Sequence, residues 1–145
     1  MKPLYLECAD PNGGLGNRIT VICAGYATAK ILGMEPKLYW TAQGHGCRAE
    51  YTDLYKPMDS IELVDSIPDS EDTFFAWVYA GGGLRFHEKW LGKSFATPHY
   101  WSLFREAASQ LQLIDSLQIP DLSGFNALHV RGNYQPRAID PSFYH

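Results

Sequence analysis

A chain of 145 residues is the size of one ordinary domain built around a single core. With 46% hydrophobic and 19% charged residues and a mean hydropathy of -0.24, it has the composition of a soluble globular protein, and no apolar run reaches the length that crosses a bilayer. The formal charge of -4 excludes a general nucleic-acid or membrane-surface binder, so any anion must be held by a local site.

Glu7, Asp10 and the prolines break up the N-terminus "MKPLYLECADPNGG", which has no h-region, so no signal peptide is expected. Cys8, Cys23 and Cys47 are odd in number, widely spaced and without a C-x-x-C, the usage of reduced thiols in a cytoplasmic protein. "HGC" at 45–47 offers two ligands where zinc needs four, or three and water, so no metal is expected.

Along the chain, "LYLEC" (4–8) is a short β run ending at a glycine-rich loop. Residues 17–32 read as a helix, apolar nearly all round, closed by Gly33 and followed by Pro36. Such a helix is pressed into a core, with Ala24, Gly25 and Ala29 allowing close approach to a sheet. "KLYW" (37–40) is a second strand, and strand–helix–strand implies a right-handed crossover and a parallel pair. "AEYTDLYKP" (49–57) reads as a short helix stopped by Pro57. "IELV" (61–64) and "TFFAWVYA" (73–80) are strands, "GGGLRFH" (81–87) is a loop, residues 99–117 have helical spacing, and "FNALHVR" (125–131) is the last strand. The alternation predicts one α/β domain over residues 1–145, a three-layer, mostly parallel, Rossmann-like sheet.

The glycine loop "PNGGLGNRIT" (11–20) matches neither a Walker loop nor G-x-G-x-x-G, since Ile19 stands where the third glycine belongs. Between a strand and a helix, however, the unpaired N–H groups of the first helical turn form an anion site, and Gly13, Gly14 and Gly16 let the backbone come close. Arg18 opposes the helix dipole there, typically by about 0.3–1 kcal/mol. Two readings stand: a ligand loop, or a structural turn in which Asn17 caps the helix and Arg18 pairs with Asp10. On "FNALHVR", period-2 alternation puts His129 and Arg131 on one face, opposite Leu128 and Val130. Ligands of open α/β sheets bind beyond the carboxyl ends of strands, where both motifs would converge.

"GGLGNRI" followed by a small-residue helix, "LYW…GCRAEYTDLY" and "ALHVRGNY" together resemble the fucosyltransferase superfamily of GT-B glycosyltransferases. That superfamily includes the α-1,6-fucosyltransferases, the rhizobial NodZ enzymes and the protein O-fucosyltransferases. The resemblance spans residues 4–134. It implies that His129 and Arg131 are the catalytic H-x-R pair, with the arginine on the diphosphate of a GDP-fucose donor. It also implies that Gly13, Gly14, Gly16, Asn17 and Arg18 form a substrate-binding loop. The implied reaction is inverting transfer of fucose to a glycan or other hydroxyl acceptor, with no cofactor and no metal. Gly132 and Tyr134 stand where many members carry a second arginine and an aspartate, and about ten residues follow the motif. The chain is therefore expected to correspond to the first half of such an enzyme. It would lack the donor-binding half, have little activity alone, and self-associate or seek a partner that supplies the rest. The alternative is a non-catalytic truncated domain that keeps the fold and weak nucleotide or glycan binding. A hydrolase using His129 as base ranks below both, because no partner residue can be named.

Trp77, Tyr79, Trp90 and Trp101 read as core, with Trp40 the one candidate for stacking on a sugar. Arg85 and His87 read as part of a solvated loop. The carboxylates form no acid–base pair, and no cysteine has an adjacent base to activate it.

Overall fold

In the computed structural model, the described residues are 1–9, 13–42, 46–69, 73–74, 91–118, 121 and 123–124. Their elements in chain order are β1 (Pro3–Cys8), α1 (Leu15–Leu32), β2 (Glu35–Trp40), α2 (Tyr51–Leu54), β3 (Glu62–Val64), β4 (Thr73–Phe74) and α3 (Pro98–Gln110). The expected strands at 125–131 and 75–80 and the loop at 81–87 lie outside the described residues.

The four strands form one sheet in the order β3-β2-β1-β4, and every pairing is parallel. β1 and β2 run in full register from Pro3↔Glu35 to Cys8↔Trp40, so their carboxyl ends finish level. The fold is α/β, as the alternation of elements predicts. β1 lies inside the sheet, and Leu4, Tyr5, Leu6 and Cys8 are all buried, as a strand covered on both faces requires.

α1 packs on β1, β2 and α3. Its middle, Val21 to Ala29, is buried without a break, the environment its all-round apolar pattern calls for. At Gly25 the approach to β1 is so close that a Cβ would stand 2.3 Å from Leu6 Cδ2. The helix ends as expected: Gly33 takes the left-handed conformation (φ 66°), its N–H bonding to Lys30 O while Met34 N–H bonds to Ala29 O. These two bonds make a Schellman motif. Leu4, Leu6, Ile22, Tyr26 and Leu38 form the main core, and Ala27, Phe95 and Tyr100 a second cluster. The Tyr26 phenol, its pKa raised first by burial, donates to Glu106 Oε1 on α3.

Boundaries of all three helices differ from the sequence expectation. α1 begins at Leu15, two residues before Asn17, because Gly14 adopts an extended cap conformation (φ -68°, ψ 171°). α3 begins with Thr97 as N-cap, its Oγ1 accepting from Tyr100 N–H at 3.2 Å with Pro98 next. It stops at Gln110, although the apolar spacing runs on to 117. The backbone of 112–114 instead pairs with 54–56: Lys56 N–H bonds Gln112 O (2.8 Å), Ile114 N–H bonds Leu54 O (3.0 Å), and Tyr55 bridges Leu113. The same pairing limits α2 to a single turn, with Tyr55 already extended two residues before Pro57. Among the described residues, no helix is long and apolar enough to cross a membrane.

Candidate functional site

α1 carries the chain from β1 to β2, and β3 lies beyond β2. β4 is on the other side of β1. The strand order therefore reverses at β1, and the crevice of an open α/β sheet lies beyond the carboxyl end of the strand where this happens. The glycine loop leaves from that end.

Gly14 is the N-cap of α1 and supplies no side-chain cap, and no acidic residue stands in the first turn. Arg18 N–H makes the first helical bond, to Gly14 O at 3.2 Å. Among the described residues, no acceptor meets the N–H groups of Leu15, Gly16 and Asn17. These are the donors a helix start leaves over, and they carry the positive end of its dipole.

The glycines of this loop differ from Gly33 and Gly25. Gly14 and Gly16 have no positive φ. A Cβ on Gly16 would meet nothing within 4 Å among the described residues, and one on Gly14 would touch Gly46 O at an ordinary 4.0 Å. Neither backbone conformation nor internal packing of the described residues requires glycine at either position. Gly16 in a helical turn even costs up to about 1 kcal/mol relative to alanine. What the two glycines do provide is backbone that no described side chain covers, beside three N–H donors that meet no acceptor among the described residues.

Arg18 is turned the other way. It is 2% exposed, and its guanidinium binds three backbone carbonyls. Nε donates to Gly13 O (3.2 Å), and Nη1 to both Cys8 O (2.6 Å) and Thr41 O (2.8 Å). Cζ lies 4.6 Å from the Trp40 ring centroid. The charge that looks misplaced at a helix start thus faces carbonyls at the ends of two parallel strands. Trp40 is core, not an exposed stacking platform: it is buried, donates from Nε1 to Ala49 O (2.9 Å), and meets Tyr51 edge-on. Cys8, Trp40 and Thr41 were not legible as partners of Arg18. The signal that would have found them is the level register of β1 and β2, which brings both carbonyls within reach of one long side chain.

Cys8, Cys23 and Cys47 are buried free thiols. Burial pushes the Cys8 thiol up, outweighing the opposing influence of Arg18, and burial pushes Cys23 up to about 11. Both are held neutral and are poor nucleophiles. Among the described residues, no three His, Cys, Asp or Glu side chains gather as a metal site. His129, Arg131, Arg85 and His87 lie outside the described residues. The geometry therefore offers backbone donors for an anion at the strand switch point. No protein-family model, curated protein or solved structure matches the chain.

Proposed function

We propose that this chain is a fucosyltransferase-like glycosyltransferase domain of Rossmann-like, three-layer architecture, similar to the N-terminal half of a GT-B enzyme, and that it holds a nucleotide-diphosphate sugar of the GDP-fucose type. One observation carries the anion part of the reading. Three N–H groups that meet no acceptor among the described residues, and two glycines that those residues do not require, lie together at the carboxyl end of β1, where the sheet order reverses. The sequence resemblance, through Gly14-Leu15-Gly16-Asn17-Arg18 and His129-Val130-Arg131, supplies the donor class.

In this reading the sugar is transferred to an acceptor hydroxyl with inversion at the anomeric carbon. The C–O bond to the diphosphate breaks as the bond to the acceptor oxygen forms, the diphosphate leaves with the bonding electron pair, and the acceptor's O–H proton passes to solvent water. Negative charge grows on the leaving diphosphate, and Arg131 together with the N–H groups of the loop offsets it. One pre-aimed donor of this kind contributes about 3–4 kcal/mol of transition-state stabilisation. His129 orients the arginine. A second reading, a non-catalytic domain that keeps nucleotide binding, is favoured by Gly132 and Tyr134 in place of the usual arginine and aspartate.

Thermal denaturation with and without GDP or GDP-fucose tests the site, since a ligand bound only by the native state raises the melting temperature. A rise that Arg131→Ala abolishes supports the reading, and no rise at millimolar nucleotide overturns it. Fucosyl transfer to chitooligosaccharide and N-glycan acceptors then separates the enzyme from the binding module.

A further inference from the structure

We propose that Arg18 is a positioning residue: a buried latch that sets the conformation of the glycine loop, with the loop backbone, and not the guanidinium, meeting the ligand. This rests on the nucleotide reading for the identity of the ligand, but its structural basis is independent of it. One guanidinium joins three chain segments. Nη1 binds the last carbonyl of β1 (Cys8) and the first carbonyl after β2 (Thr41), while Nε binds Gly13, one residue before the α1 cap. The planar donor fork of arginine suits this task, whereas the ammonium of lysine has neither its geometry nor its flat face. That face lies over Trp40, whose own N–H fixes Ala49 in the following loop.

The carbonyls involved are those that a parallel sheet leaves at its carboxyl edge. Cys8 O also accepts from Thr41 N–H, at 3.4 Å. Left without Arg18, the buried carbonyls of Cys8 and Gly13 would lose a strong charged donor, and the entry to α1 would lose its attachment to the sheet. The segment after β2 belongs to the same assembly, because Gly46 O sits 4.0 Å from the Cβ position of Gly14. The latch therefore couples the aim of the Leu15, Gly16 and Asn17 N–H groups to the end of β2. Arg18, 2% exposed as a residue, contributes through that aim.

The test combines amide hydrogen exchange with GDP titration on the full chain, comparing wild type with Arg18→Lys. The latch predicts exchange faster by about tenfold or more at Arg18, Ile19 and Thr41, with α3 amides unchanged, as for a local opening. GDP affinity should fall by about tenfold, and in Arg18→Gln, which removes the charge, its dependence on salt should stay that of wild type, because the guanidinium does not meet the phosphates. Uniformly faster exchange, or no change, would overturn the latch, and so would a weakened salt dependence, which marks direct contact with the phosphates. Should Arg18→Lys fail to fold, Trp40→Leu removes the ring beneath the guanidinium and must accelerate the same amides. Absence of GDP binding by wild type would refute the nucleotide reading alone, and the exchange pattern would still decide the latch.

Discussion

Gly16→Ala separates a glycine kept for a ligand from one kept for the fold. The residue is exposed at the second position of α1 and lacks positive φ, and a Cβ there meets no described atom within 4 Å. Alanine relieves the conformational cost of a helical glycine, worth about 0.5–1 kcal/mol. At roughly 2–4 °C per kcal/mol for a chain of this size, the melting temperature should rise by about 1–4 °C. The same methyl stands beside the first-turn N–H groups that meet no acceptor among the described residues, where a diphosphate would lie against the backbone. Nucleotide affinity should fall at least about tenfold, equivalent to about 1.4 kcal/mol. Thermal denaturation in the absence of ligand and calorimetric titration with GDP read the two effects separately. A variant that is more stable and binds GDP as wild type does would refute the reasoning. Loss of stability would show that the glycine serves the local backbone.

Gly25→Ala should act in the opposite direction: its Cβ would fall 2.3 Å from Leu6 Cδ2, and Leu6 is fully buried. An overpacking cost of about 1–3 kcal/mol outweighs the helix-propensity gain of about 1 kcal/mol, so urea denaturation should show a loss of stability. Thr97→Ala removes the cap on Tyr100 N–H and should cost about 1 kcal/mol, seen as a melting temperature lower by roughly 2–4 °C. Stability should also fall on the alkaline side. Burial raises the Cys23 thiol from its ordinary 9.0 to about 11, so between those values the unfolded chain releases a proton that the native one keeps. The contribution is complete below pH 9 and lost as the pH rises through about 11. Urea melts at pH 8 and 10.5 should show a shallower decline for Cys23→Ala.

What could be read from sequence follows from how local each feature is. The glycine stop of α1, its all-round burial and the parallel β1–β2 pair depend on neighbours in the chain and on apolar spacing, and the observed elements agree with them. The end of α3 was not legible, because residues 112–114 leave the helix to pair with 54–56, about sixty residues away. Arg18 shows the same limit at the site. Its conflict with the helix dipole was plain from the sequence. The resolution, three carbonyls from two strand ends and the loop, required the register of the sheet. Trp40 looked open to a sugar because its position at a strand end is visible in sequence, whereas the arginine above it and Tyr51 beside it are not.

The central claim is that the start of α1 binds the diphosphate of a nucleotide. Calorimetric titration of the wild-type chain with GDP, GMP and guanosine tests it most directly, because the three share a base and ribose and differ only in phosphate. The account predicts that GDP binds at least about tenfold more tightly than GMP and that guanosine binds more weakly still, each tenfold step being about 1.4 kcal/mol of phosphate contact. Equal affinity for all three, or no heat from GDP at millimolar concentration, would contradict it.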